Sequence, residues 1–320
     1  VPRLARPGRA LASLGALLVL GLVALAVIGR GPQGWTLLDA QSAATFLPGR
    51  LPRLAGAAAA GGLLALAGTL LQRLTANPLA SPEVLGVSGG ATLGYAGVLF
   101  LAGAPTAIGL ALGATAGGAL ALSVLAAVAM AGLMGQGRVL LAGIAVSAFA
   151  LSVLSVLMSS GTPQAFAVLA WMSGSAAGLT APGAVALCAL LAVLTAAALA
   201  MARWLEILPL GASVARGLGL PLRAAWIGVI LLAGLATGAA TVLSGPVSFV
   251  GLMAPHLARG LGFATMRAHL AGAVLTGALL MLAADFGARM ASFPYDLPLG
   301  LFASLLGTPW LIWLMLRRPR

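Results

Sequence analysis

Residues 50–91 read RLPRLAGAAAAGGLLALAGTLLQRLTANPLASPEVLGVSGGA, and the fold follows from them. Arg50 and Arg53 open the stretch, and a charge-free run continues from Leu54 to Leu71 before Gln72 and Arg73. As a helix, that run rises roughly 27 Å, close to the thickness of a bilayer's hydrocarbon core. A polar turn with two prolines, Asn77-Pro78 to Ser81-Pro82-Glu83, ends it, and the glycine-rich Gly86-Val87-Ser88-Gly89-Gly90 leads back into apolar sequence. The segment is a membrane crossing with a charged mouth at one end and a structured turn at the other.

The rest of the chain has the same character. Of 320 residues, 61% are hydrophobic and 7% charged, where a soluble domain is nearer a quarter charged. The expected fold is all-α and polytopic. Its forty-four glycines suit close helix approach in a bilayer, and Gly90-x-x-x-Gly94, Gly109-x-x-x-Gly113 and Gly113-x-x-x-Gly117 have the small-residue spacing for it. Cys188, the single cysteine, excludes an intrachain disulfide and a thiolate metal site; it reads as a small buried hydrophobe. No cleavable signal peptide is evident. The chain begins with Val, so a processed, truncated or excised N-terminus is expected.

Apolar runs fall at about 11–28, 51–71, 84–103, 107–134, 139–158, 183–202, 224–244, 246–262, 268–285 and 297–316. A loop carrying Arg30, Trp35 and Asp39 separates the first two. Ala104-Pro105 turns into the fourth and Gly135-Gln136-Gly137-Arg138 into the fifth. Residues 159–182 are too broken for a crossing and predict a short interfacial or re-entrant helix around Phe166–Met172. Residues 208–223, bounded by Pro209 and Pro221, predict a small helix outside the membrane. Ten crossings place both termini on one side. Arg3, Arg6, Arg9, Arg73, Arg138, Arg203, Arg216, Arg223, Arg259, Arg267, Arg317, Arg318 and Arg320 then share the terminal side. Arg30, Arg50, Arg53 and Arg289 are left on the other. The positive-inside rule makes the terminal side cytoplasmic. The net charge of +12 is therefore a mark of topology, and a nucleic-acid partner is not expected.

The motifs now in view belong together. Arg50-Leu51-Pro52-Arg53, Ala67-Gly68-x-x-x-Gln72 and Asn77-Pro78-Leu79-Ala80-Ser81-Pro82-Glu83-x-Leu85-Gly86-Val87-Ser88 resemble the FecCD-type permeases, the membrane subunits of bacterial ABC importers for iron–siderophore complexes, haem and cobalamin. A second signature is Gly245-Pro246-x-x-Phe249-Val250-Gly251-Leu252-x-x-Pro255-His256-x-x-Arg259. A third is Ala284-Asp285-x-x-x-Arg289 with Leu297-Pro298-x-Gly300 and Gly307-x-Pro309. Gly29-Arg30-Gly31-Pro32, Leu169-Ala170-Trp171 and Phe293-Pro294-Tyr295 are similar to the carboxy-terminal half of the double-length ferric hydroxamate permeases. The resemblance implies one transmembrane permease domain over residues 1–320, or one half of a longer fused permease. It implies a bacterial inner-membrane location, two cytoplasmic ATPase subunits, a periplasmic substrate-binding protein and a second permease half or subunit, fused, identical or different. The cargo it implies is a ferric hydroxamate, with haem or cobalamin as the alternative. No cofactor or metal site is expected.

The resemblance also assigns roles, each set beside a plainer one. Arg50, Arg53 and Arg289 are docking residues for the binding protein's carboxylates, or interfacial anchors with snorkelling stems. Asp285, four residues before Arg289, holds the Arg289 fork. Leu210, Gly211, Ala212, Ser213, Val214, Ala215, Arg216, Gly217, Leu218 and Gly219 form the coupling helix that meets the ATPase, or an amphipathic connector on lipid headgroups. Glycines 211, 217 and 219 give it close backbone contact and a tight turn. Arg203 and Glu206 lie at its approach. Trp171, Met172 and Ser173 line or gate the cargo path, or serve as interfacial packing.

Other functions fit less well. Without lysine the chain has no phosphate-loop motif of the G-x-x-x-x-G-K-[ST] kind. ATP use then belongs to a partner, and the chain is not an enzyme. A secondary transporter is expected to carry mid-membrane acids, whereas Asp39, Glu83, Glu206, Asp285 and Asp296 all fall at predicted interfaces. An intramembrane serine protease would use Ser88 of Gly86-Val87-Ser88-Gly89 with His256 or His269. His256 reads instead as a packing residue and His269 as a solvated one at a helix start.

Overall fold

A helix that is apolar all round must be enclosed by others, and α2 (Ala40–Thr75) is the axis of the bundle. The computed structural model describes residues 7–31, 34–102, 105–130, 136–292 and 294–316. Arg3, Arg6, Pro32, Ala104, Gly135, Phe293, Arg317, Arg318 and Arg320 lie outside the described residues. At 36 residues, α2 is about 54 Å long and overruns the predicted 51–71 at both ends. Pro48 and Pro52 lie inside it. Each removes a backbone donor, and Pro48 and Ala44, whose carbonyl loses its partner, are on the exposed first turns. From Leu54 to Leu74 the helix is almost continuously buried.

α1 (Pro7–Val27) leads into a hairpin of β1 (Ile28–Gly31) and β2 (Gly34–Leu37), with Arg30 opposite Trp35. The predicted loop is therefore partly ordered strand. After α2, Asn77 organises the turn: its Oδ1 accepts from Leu79 N at 2.9 Å and its carbonyl from Ala80 N at 3.1 Å. A 3₁₀ turn (Pro82–Leu85) follows, and Gly86, in the left-handed region at φ 73°, turns the chain into α3 (Val87–Leu101).

α4 (Ala107–Met130), α5 (Gln136–Met158), α6 (Pro163–Met172) and α7 (Ala181–Ala200) follow. α6 is the predicted short helix, with Pro163 in its first turn and Thr162 capping it by accepting from Ala165 N at 3.4 Å. Next are α8 (Ala202–Ile207), α9 (Ala212–Gly217), α10 (Leu222–Ser244), α11 (Val250–Gly260), α12 (Met266–Met290) and α13 (Leu299–Leu316).

The chain is all-α and polytopic. Seven helices, α1, α2, α4, α5, α7, α10 and α12, are long and apolar enough to cross a membrane. The other three predicted crossings fall on α3, α11 and α13. The crossing predicted at 246–262 is corrected: α11 has 11 residues and rises only about 16 Å. Residues 246–248 before it are non-helical, and Phe249 has φ 70°. Non-helical backbone at membrane depth requires protein around it, and Val247 is buried while Gly307 of α13 packs on the Phe249 side chain.

Glycine sets the helix spacing. A Cβ at Gly90 would meet the Gly117 carbonyl and one at Gly94 the Gly113 carbonyl, each pair reciprocally, so α3 and α4 touch through backbone. Gly109 does not join that seam. On the axis, Gly61 faces Gly277 of α12, and Gly68 faces the Gly251 carbonyl of α11. Gly68→Val is expected to destabilise the bundle by about 1–3 kcal/mol or more through overpacking. The check is the yield of monodisperse protein in detergent, with Gly97→Val, which has open space around it, as the control that keeps its yield.

Candidate functional site

The three signatures scattered along the chain meet in two places. Toward the C-terminal end of α2 the first and second interlock. Gln72 Nε2 reaches Ala80 O at 3.4 Å and Leu252 O at 3.5 Å, and Gly251 packs on Pro82. Burial pushes the Glu83 carboxyl up, while the Ser81 side chain and the backbone N–H groups of Glu83 and Phe249 donate to it. The Glu83 side chain of the first signature thus lies against the start of α11, where Phe249 has φ 70°.

At the end of α2 that bears Arg50, four arginines surround a cleft of about 370 Å³. Arg53 Nε donates to Asp285 Oδ1 at 2.8 Å, and its Nη1 donates to Asp296. Arg289 Nε lies 3.1 Å from Asp285 Oδ2, an ion contact outside hydrogen-bond geometry, and its Nη2 reaches Leu25 O at 3.4 Å. Arg50 Nη1 donates to Ala26 O at 3.1 Å and Ile28 O at 3.3 Å, and its guanidinium lies over the Phe46 ring. Arg30 Nη1 donates to Met290 O. Asp285 is 0% exposed, against 12% for the Arg53 side chain and 8% for that of Arg289.

The predicted trio is therefore brought together, but not as free surface charges. Arg53 and Arg289 are gripped from within by Asp285, which the sequence placed at an interface and which is fully buried. Arg50 and Arg30 brace the hairpin. With Asp285 and Asp296 as counter-charges, the cup keeps a surplus of positive charge. Arg30 and Asp296 were not assigned to it from sequence; the available signal was that both lie on the arginine-poor side, Asp296 within the third signature.

The other end of α2 is built differently. Arg73 lies there within electrostatic reach of Glu206 and Arg259, and His269 within reach of Arg73, Arg259 and His256. Arg53 and Arg73 are twenty residues apart on one helix, about 30 Å, so the two arginine groups stand at opposite ends, as the topology count requires. The predicted helix at 208–220 is a 3₁₀ turn (Leu208–Leu210), then α9, with Gly211 and Gly219 at φ 94° and 75°. Gly217 ends α9 without a positive φ. Leu208, Ala215 and Leu220 are buried; Leu210, Val214 and Leu218 are 56%, 47% and 56% exposed. Val214 and Leu218, four residues apart, leave an exposed apolar stripe on this segment, with Leu210 before the turn at Gly211.

Trp171, Met172 and Ser173 close α6. Trp171 stacks on Tyr95 with centroids 4.5 Å apart, and Met172 packs against Ala96, Leu154 and Val168. Ser173 O accepts from Gly300 N at 3.2 Å, Gly174 O from Leu299 N at 3.0 Å, and Ser175 N donates to Ser244 O at 2.9 Å. This strap ties α6 to the end of α10 and the start of α13. Ser88 Oγ pairs with Thr241 Oγ1 at 3.0 Å, and neither histidine joins it. His256 packs edge-on to Trp310 at 5.6 Å. His269 is 2% exposed rather than solvated, and Cys188 is exposed rather than buried; both readings are corrected.

A family model described as the FecCD transport family matches residues 12–317. The chain belongs to the FecCD transport family. It is 40% identical over 306 residues to the iron(3+)-hydroxamate import system permease protein FhuB of Salmonella typhimurium, covering 96% of this chain and 45% of that one. It is 36% identical over 272 residues to the Fe(3+) dicitrate transport system permease protein FecC of Escherichia coli, covering 84% and 82%. With the hemin transport system permease protein HmuU of Yersinia pestis it shares 36% over 276 residues, covering 84% and 82%. The chain spans about half the length of the Salmonella typhimurium and Escherichia coli hydroxamate permeases it matches. Among solved structures, a metal-chelate-type ABC transporter in an inward-facing conformation superposes with a TM-score of 0.87 at 27% identity, covering 98% of this chain and all of that one. The FecCD relatives are named as transport permeases, which accounts for the missing phosphate-loop motif.

Proposed function

We propose that the chain is the transmembrane permease subunit, or one half of a fused permease, of an ABC importer that carries a ferric hydroxamate across the bacterial inner membrane. The observation that supports this cargo most is the 40% identity to the hydroxamate permease over nearly the whole chain; the dicitrate and hemin permeases stand at 36%. A second permease half, fused or separate, encloses the path with this one, and two cytoplasmic ATPase subunits supply the energy. The arginine cup faces the periplasm and receives a binding protein's carboxylates. Residues 208–223 act as a lever that seats in the ATPase through Leu210, Val214 and Leu218, with Arg216 at its edge. Trp171, Met172 and Ser173 border the path, and their strap to α10 and α13 makes that border responsive to helix movement.

Cargo choice is tested by uptake in a strain deleted for its own hydroxamate permease, supplied with this chain and its partner subunits. Iron from a ferric hydroxamate is expected to accumulate, and iron from ferric dicitrate or hemin is not; the reverse order would move the chain to another branch of the family. Arg50 gives the cleanest docking test, since carbonyl oxygens and the Phe46 ring are its partners. Arg50→Glu is expected to weaken binding-protein affinity by roughly tenfold or more at unchanged permease yield. Unchanged affinity by surface plasmon resonance would leave Arg50 as an anchor.

A further inference from the structure

Glu206 lies in α8, immediately before the lever. Its Oε1 accepts a hydrogen bond from the backbone N–H of Met266, the first residue of α12, at 3.3 Å. Its carboxylate also faces Arg73 in the last turn of α2. Both placements are electrostatically favourable: the start of a helix offers unpaired donors and a partial positive charge, and its end favours a cation. One side chain therefore bonds α8 to α12 and lies within electrostatic reach of the end of α2.

The helices it reaches are the two that hold the arginine cup. α2 carries Arg50 and Arg53 near its start and Arg73 near its end; α12 begins at Met266 and carries Asp285 and Arg289 near its close. Arg73 also faces Arg259, and His269 faces both. Arg73 Nε has no hydrogen-bond partner among the described residues, so Glu206 offsets a cationic group without locking it. Such a contact has two natural arrangements: carboxylate in, with the lever held against α2 and α12, or carboxylate withdrawn, with the cations left to repel one another.

We propose that Glu206 is the positioning residue through which movement of the lever is passed to α2 and α12, and so to the arginine cup at their far ends. This rests on the importer reading above.

The test uses the complete transporter, with its ATPase subunits and binding protein, in proteoliposomes, and reads ferric trihydroxamate delivered per ATP hydrolysed. Glu206→Gln is expected to lower that ratio roughly five- to tenfold, with complex yield and ATP hydrolysis retained. Glu206→Asp, which keeps the charge, is expected to retain most of it. Arg73→Gln added to Glu206→Gln is expected to cost nothing further, because the two act as a pair. An unchanged ratio in Glu206→Gln, an equal loss in Glu206→Asp, or losses that multiply with Arg73→Gln would each overturn the proposal. A fall in complex yield without a change in ratio would assign Glu206 to folding alone and overturn it too. Failure of the wild-type transporter to deliver the chelate would instead strike the importer reading itself.

Discussion

Asp285→Ala is expected to be the most damaging single substitution at the cup. The carboxylate is fully buried, with Arg53 on one oxygen and Arg289 on the other. Removing one partner of a buried ion group leaves uncompensated charge and costs about 3–5 kcal/mol. Arg53 retains Asp296, whereas Arg289 loses its carboxylate. The expected readout is a sharp fall in the yield of folded protein and in thermal unfolding temperature in detergent. A variant with wild-type unfolding temperature and reduced binding-protein affinity would mean that Asp285 serves docking and not the fold. By the same geometry, Arg289→Glu sets two carboxylates against each other inside the protein, so a loss of uptake in that variant is expected to follow from unfolding.

The second large effect is expected at the lever. Val214→Asp combined with Leu218→Asp places two charges on the exposed apolar stripe. Both positions are open in the single chain, so the permease is expected to accumulate normally. A partner seated on that stripe would have to desolvate the new carboxylates, and interface anchors of this kind are worth about 2 kcal/mol or more each. Co-purification of the ATPase with the permease is therefore expected to drop by well over tenfold. Retention of the ATPase at wild-type stoichiometry would place its seat elsewhere.

Much of this was legible in the chain. Apolar run length located seven helices long and apolar enough to cross, because a bilayer imposes that length on a helix spanning it. The seam of Gly90, Gly94, Gly113 and Gly117 was readable because backbone contact between helices needs a small residue every fourth position. The half-length α11 was not, because residues 246–262 are as apolar as a full crossing; the break depends on Gly307 and Glu83, distant in sequence. Local reading likewise left His269 solvated and Cys188 buried, since a residue's place along a helix does not tell which neighbour covers it. At the cup, the arginines were identifiable from their isolation on one side. Their internal bonding was not, because Asp296 and the Ala26 and Ile28 carbonyls reach them only through the tertiary fold.

The importer account is tested most directly by accumulation of a radiolabelled ferric trihydroxamate inside proteoliposomes holding this chain with its companion permease half, ATPase subunits and binding protein. Accumulation is expected to require ATP and the binding protein together, and to be abolished when a non-hydrolysable ATP analogue replaces ATP. Accumulation driven by a proton or sodium gradient without ATP would contradict the account.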